Sequence, residues 1–584
     1  MNKLAPIMLL LTFNCSVLPA KTTLNNSKLF LVGGGLKTCS SMAPKNCTQQ
    51  SLFNETSWKN AKKNAIYSIN DNTIKLLSNT WPKKFGSANK KNIIKILTTI
   101  KKSEVSEDVT PSKLKALFKQ YDHHNIINKL NDAEYYLMLD ILEQPVFAKD
   151  GKTRLQERVE LNNSSHLFST EIYKTFVNLT KNISSSDKPK ILVLTASARD
   201  PFEAVDFYVA VFTQAGANTT WLPLDATLNN LLQQPDERQQ VCQQLSATRL
   251  TIQGSINREF VYPDLAEQQL QACLSPDEML SELSSADGIF INGGDQSLTL
   301  KALVNKDGTD SKALKIIKQK LATSSLVIGG TSAGTAVMSG GIFNKSPIVM
   351  ITNGQSNTAV VRGAKKDVLP MEGCQKSGRC SQDLLNDDLT YRSSGGLGLF
   401  HWGILDTHFS ERGRQGRLAK LALDTNTLFA FGVDEATALV VDNINGEQIE
   451  LSVVGQSGVF IIENSLNTTK KEAVLSHYIT RDDKITLSHN TLKFELPSWK
   501  TLQSDSAELP SQVPEIFKGK RYQQTTELLC RTNNLEISAS SSWNNKTKPI
   551  SIKKLDNAVS RYGVISWDNI TKGYCSYQNY RLSL

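Results

Sequence analysis

Apolar residues in this chain come in short unbroken runs, separated by longer stretches of helical period. Leu29-Phe30-Leu31-Val32 leads into Gly33-Gly34-Gly35, and Ile191-Leu192-Val193-Leu194 and Gly288-Ile289-Phe290-Ile291 have the same character. Such runs, closed by turn residues, read as strands buried on both faces. Leu326–Gly329, Gly403–Asp406, Leu428–Val433 and Thr437–Val441 read as further strands, and Trp221-Leu222-Pro223-Leu224 as a short one. Between them lie helical segments: Pro201–Ala215 ended by Gly216, a Gln-rich stretch over 228–275, and Ser311–Leu321. This alternation predicts an α/β fold, a mainly parallel, doubly wound sheet whose functional groups gather at the carboxyl ends of its strands.

The pattern changes on either side of that region. Residues 42–186 are polar with helical period, as at Lys91–Ile100, Ser112–Gln120 and Ala133–Leu142, and predict a helical insertion in the first crossover. Gln448–Val454 and Gly458–Glu463 close the core, and alternation at Lys484–Leu487 and Thr491–Leu496 marks 466–584 as a small β-rich C-terminal appendage. The expected organisation is a signal peptide over 1–20, the first core strand within 21–41, the insertion over 42–186, a catalytic α/β core over 187–465 and the appendage.

The signal peptide rests on Lys3, the apolar stretch Ile7–Phe13 and the small-residue site Val17-Leu18-Pro19-Ala20. The apolar stretch is too short to span a bilayer, so a secreted or periplasmic protein without a membrane span is expected. Eight cysteines remain beyond it, and an even number in an exported chain favours disulfides. Their positions form four close pairs: Cys39 with Cys47, Cys242 with Cys273, Cys374 with Cys380 and Cys530 with Cys575. No Cys-x-x-Cys and no His/Cys cluster points to a metal site, and nothing demands an organic cofactor. The formal charge of +10 is concentrated between Lys59 and Lys102. Lysines without interleaved aromatics read as a solvated helix face rather than a nucleic-acid surface.

The candidate chemistry centres on Gly330-Thr331-Ser332-Ala333-Gly334, the one Gly-x-Ser-x-Gly in the chain. After a strand, this pattern describes a sharp turn that lifts a serine hydroxyl clear of the backbone. A serine nucleophile needs a base, and an orienting group behind that base. Of seven histidines, His408 alone follows a core strand at its carboxyl end. Asp434 and Glu435 end the next strand, and either could orient it. The order serine, histidine, acid differs from the serine, acid, histidine order of α/β-hydrolases, which disfavours a lipase-like enzyme. For the developing oxyanion, the Ala333 N–H is the first donor, and Gly294 and Asp295 after Gly293 can supply a second. Arg412, Arg414 and Arg417 follow the base directly and suit a substrate carboxylate close to the scissile bond.

Taken together, Gly330–Gly334, Gly293–Gln296, the run from Asp406 through His408-Phe409-Ser410 to Arg412-Gly413-Arg414, Gly416-Arg417-Leu418, and Gly432-x-Asp434-Glu435 resemble the cyanophycinase and aspartyl dipeptidase family, peptidase S51. The resemblance covers about 28–36 and 188–463. It implies a class I glutamine-amidotransferase-like sheet with Ser332 as nucleophile, His408 as base and Glu435 as its partner. It also implies that Gln296, Asp406, Arg412, Arg414 and Arg417 hold substrate, with Thr407 at a substrate position where the family has glutamine. Thr335 stands where alanine is usual, and compact members lack the insertion and the appendage. The implied activity is release of β-aspartyl-arginine from cyanophycin, a poly-aspartate backbone bearing arginine, through an acyl-enzyme, and a homodimer is implied as well. An aspartyl or isoaspartyl dipeptidase is the alternative enzyme. An inactive polymer-binding protein is the alternative from another class.

Overall fold

The computed structural model describes residues 27–49, 56–103, 107–369, 383–466, 472–502, 508–567 and 570–584. The expected signal peptide, and Cys374 with Cys380, lie outside these residues. Two large sheets organise the chain. The first has nine strands in the order Thr491–Glu495, Lys484–Ser488, Gln448–Gly455, Thr437–Asp442, Lys28–Val32, Val327–Thr331, Gly288–Ile291, Lys190–Leu194, Asn218–Trp221. From Lys28–Val32 to Asn218–Trp221 the neighbours are parallel; on the other side every pairing is antiparallel.

The mainly parallel sheet expected from sequence is therefore a mixed one. Helical crossovers carry the chain between the parallel strands, whereas short turns join Thr437–Asp442 to Gln448–Gly455 and Lys484–Ser488 to Thr491–Glu495 as antiparallel pairs. Both faces of the parallel half are covered. Leu29, Leu31, Ile289 and Ile291 enter one apolar cluster, and Phe30, Val32, Phe290 and Val193 enter another on the opposite face. That is why these strands read as unbroken apolar runs rather than as alternation.

A second sheet of seven strands runs Ile404–Asp406, Phe429–Val433, Gly458–Glu463, Ala473–Thr480, Ile570–Ser583, Lys546–Trp567, Glu536–Trp543. Its first pair is parallel and the others are antiparallel. The chain passes between the sheets through three short links, after Val433, after Gly455 and after Thr480. Both sheets continue past residue 465, so strands of the expected appendage pair directly with strands of the expected core.

Within 42–186, helices Asp71–Thr80, Ser87–Lys102, Pro111–Tyr121 and Asp132–Leu142 pack on one another around Leu77, Ile93, Leu97 and Met138. Asn131 and Glu134 close the start of the last one with reciprocal capping hydrogen bonds. Helix Leu167–Lys181 differs from these four: Ile172, Tyr173 and Phe176 cover the central sheet itself. Three of the four expected disulfides form, Cys39–Cys47, Cys242–Cys273 and Cys530–Cys575. Among the described residues no helix is long and apolar enough to cross a membrane.

Candidate active site

Strand Val327–Thr331 ends at Ser332, which has φ 55° and ψ −118°. An L-residue holds such a backbone only where its surroundings enforce it. Here the Ser332 N–H donates to Val32 O at 3.0 Å, and the short helix Ala333–Ala336 starts at once. A Cβ on Gly334 would lie 2.4 Å from Ile291 O, and one on Gly330 2.5 Å from Gly334 O, so the two glycines of the motif are steric requirements. The Thr335 hydroxyl lies 2.8 Å from Val32 O and 2.7 Å from Gly330 O, tying the elbow to the neighbouring strand.

His408 follows strand Ile404–Asp406 of the second sheet, so base and nucleophile come from different sheets. Its Nε2 lies 2.8 Å from Ser332 Oγ and its Nδ1 2.7 Å from Glu435 Oε1. The histidine backbone has φ 46° and is fixed by its N–H donating to Gly33 O at 2.8 Å. Burial lowers the His408 pKa below its usual value; Glu435 opposes this, and Arg412 and Arg414 reinforce it. A neutral imidazole results, with Glu435 placed to receive the Nδ1 proton in a hydrogen bond and Nε2 left to take one from the serine.

Of the two carboxylates that sequence left open, the structure turns only Glu435 toward the base. Asp434 points into the second sheet: its Oδ1 accepts the Ser410 N–H at 2.9 Å, and its Oδ2 accepts from Ser457 Oγ at 2.8 Å and Tyr478 Oη at 2.5 Å. Burial, with Glu411 nearby, pushes its pKa up to about 6.

Gly34 and Gly35 belong to the site, although in sequence they read only as the turn closing the first strand. Gly34 has φ 105°, and a Cβ there would lie 2.4 Å from the His408 ring; one on Gly35 would lie 2.5 Å from Glu435 Oε2. Only the run of three glycines signalled this, because it marks a backbone that something must approach closely.

The expected oxyanion donors divide. Ala333 and Gly294 line the pocket beside Ser332. As the first residue of its helix, Ala333 has no intrahelical acceptor for its N–H. Asp295 is corrected: its N–H donates to Ser197 O at 2.7 Å and its carboxylate caps helix Gln296–Leu303 through the Ser297 N–H. Its neighbour Gln296 faces the pocket and is held there by its Nε2 donating to Ile351 O at 3.0 Å.

The arginines divide as well. The carboxylate of Asp406, almost wholly buried, accepts from Arg417 Nε at 2.8 Å and Nη2 at 2.6 Å, from Arg414 Nη1 at 3.2 Å and from the Thr407 N–H at 2.8 Å. Its oxygens are committed to the protein, so Asp406 orients the arginines rather than contacting substrate. Arg417, held by Asp406, also lines the pocket, and its Nη1 donates to Gly354 O at 2.6 Å. Arg414 has Nη1 bonded to Thr407 O at 2.6 Å, and Arg412 has no ion-pair partner among the described residues. Both line the pocket, of about 130 Å³, with Ser332, His408 and Thr407. Thr352 and Asn353, which sequence did not single out, complete its wall. A wider cleft of about 820 Å³ adjoins it past Gly294, Gln296 and Thr352.

A strained elbow that offers a serine to a glutamate-backed histidine is the apparatus of a serine-type hydrolase. The sequence model of peptidase family S51 matches residues 251–359. The match contains Gly294, Gln296, Ser332 and Ala333; His408, the arginines and Glu435 stand beyond it and are brought to the serine by the fold. A cyanophycinase of Trichormus variabilis is 28% identical over 186 residues, covering 32% of this chain and 48% of that protein. A cyanophycinase of Synechococcus elongatus is 29% identical over 187 residues, 32% of this chain and 45% of that protein. The chain thus spans about half the length of the curated relatives it matches.

Proposed function

We propose that this chain is an exported serine exopeptidase that hydrolyses cyanophycin to β-aspartyl-arginine dipeptides. One observation carries the reading: Glu435, His408 and Ser332 form a continuous hydrogen-bonded relay opening onto a pocket with Arg412 and Arg414 in its wall. A class I glutamine-amidotransferase-like core, the three disulfides and the N-terminal signal belong to the same reading.

In this mechanism His408 Nε2 takes the Ser332 proton as Oγ attacks the carbonyl carbon. The resulting oxyanion is received by the N–H groups of Ala333 and Gly294. Collapse of the tetrahedral intermediate breaks the C–N bond, and His408 returns the proton to the leaving amine. Water, deprotonated by the same histidine, then hydrolyses the acyl-serine. Arg412, without an internal counter-ion among the described residues, pairs with the aspartyl carboxylate beside the scissile bond.

Thr407 favours a second reading. It is shorter than the glutamine that the family resemblance implies there, and a changed contact beside the base suits an aspartyl or isoaspartyl dipeptidase. The intact relay speaks against an inactive polymer-binding protein. Mass spectrometry of products separates the readings: purified protein is incubated in parallel with cyanophycin and with isoaspartyl dipeptides. Release of β-aspartyl-arginine is expected from the polymer. Cleavage of the dipeptides alone would establish the second reading, and binding without products the third.

A further inference from the structure

Residues 515–523 lie far outside the matched family segment, yet they touch the loop that carries the base. Phe517 closes over the arginine-rich turn: a Cβ on Gly413 would lie 1.8 Å from Phe517 O, and one on Gly416 2.7 Å from its ring. Lys520 Nζ pairs with Glu411 Oε1 at 2.9 Å, and Glu411 Oε2 accepts the N–H of Glu435 at 3.0 Å. Gln523 Nε2 donates to Tyr478 Oη at 2.6 Å, to Ser457 Oγ at 2.8 Å and to Asp434 Oδ2 at 3.1 Å. Asp434 in turn holds the Ser410 N–H, two residues past His408. Disulfide Cys530–Cys575 ties the helix Arg521–Arg531 to the long hairpin of the second sheet.

We propose that Lys520 and Gln523 are positioning residues for the relay, acting through Glu411 on the Glu435 backbone and through Asp434 on the His408 turn. Neither touches Ser332 or His408. Each fixes a carboxylate that grips one strand-end of the site, so the C-terminal region completes the support of the catalytic residues. Positioning at this range matters because displacement of a reacting group by about 1 Å can cost on the order of 100-fold in rate. The inference rests on the serine-hydrolase reading of the relay, and its test is built to separate the two.

Lys520→Met, Lys520→Arg and Gln523→Leu are made in the full chain, and thermal melts confirm folding. Reaction of Ser332 with a fluorophosphonate gives a rate independent of the natural substrate. NMR titration of labelled histidine, assigned with His408→Ala, reads the base directly. His408 faces Glu435, Arg412 and Arg414, with Glu411 and Lys520 behind them. Loss of the Lys520 charge leaves Glu411 uncompensated, so the His408 pKa should rise, by about half a unit for a partly screened charge. Labelling should slow ~10-fold in Lys520→Met and Gln523→Leu, and Lys520→Arg should restore both rate and titration. Wild-type labelling rates with an unmoved His408 titration in folded Lys520→Met and Gln523→Leu would overturn the proposal, as would a loss that Lys520→Arg does not repair. An unreactive wild-type Ser332 beside a His408 titration that still moves in Lys520→Met would sink the hydrolase reading and leave the positioning role standing.

Discussion

Asp406 and Arg417 meet through two parallel hydrogen bonds in the interior of the site, each side chain nearly inaccessible to water. Breaking a buried charge pair by removing one partner is far costlier than losing an exposed one, about 3–5 kcal/mol. Arg417→Ala should therefore destabilise the protein by about that amount in urea unfolding. A loss of activity without a loss of stability would return Arg417 to the substrate.

Ser332→Ala should lower turnover by roughly four to six orders of magnitude while leaving the melting temperature within a few degrees. His408→Ala should match that loss in kcat. His477, which packs between strands of the second sheet and faces Glu463, is the control: His477→Ala should leave kcat per folded molecule near wild type.

The adjacent acids make a sharper test. Glu435→Gln removes the negative charge behind the imidazole and lets an amide donor face Nδ1, which selects the wrong tautomer, and should cost on the order of 10⁴ in kcat. Asp434 is aimed elsewhere and cannot replace it. Equal rates for wild type and Glu435→Gln would remove the glutamate from the mechanism.

The acid limb of kcat/KM reports the base. Burial holds His408 below its ordinary value of 6.5. The neutral form is the active one, so activity should be flat at neutral pH and fall as pH drops through the depressed pKa. The same shift makes the unfolded chain bind more protons than the folded one below pH 6.5, so stability should decline over that range too. An acid limb above 6.5 would contradict the geometry.

Reduction tests the bridges. Cys242 and Cys273 are separated by 31 residues in sequence. Constraining a loop of that size in the unfolded chain is worth about 3–4 kcal/mol. Cys242→Ser with Cys273→Ser should lower stability by about that amount, read by denaturant melts, and leave Ser332 labelling at 25 °C unchanged.

What sequence made legible was what is local. Ser332 announced itself because its glycines sit at fixed offsets after a buried strand, and His408 because it ends another. The choice of Glu435 over Asp434 came from the family resemblance and not from the residue pattern, since neighbouring side chains on an extended backbone face opposite ways and only the partner strands decide which way is which; the structure bears it out. Nor could it be read that Ile404–Asp406 belongs to a second sheet, because strand pairing over long separations leaves no local mark. For the same reason Lys484–Leu487 and Thr491–Leu496 were recognisable as strands but not as members of the central sheet. Asp406 looked like a substrate ligand because composition cannot show that a buried carboxylate already has its oxygens filled.

The links between the two sheets have a consequence for how the enzyme would fail. Glu435 sits in the first of them, between Val433 of one sheet and Thr437 of the other. Glu435 is thus part of the stitching, held on one side by Gly34 O through the Ala436 N–H and on the other by Glu411. A molecule that begins to open along this seam loses its relay with the first stitch, while most of its strands are still paired. Activity would then vanish before the sheets do, and a partly opened chain would be silent rather than promiscuous.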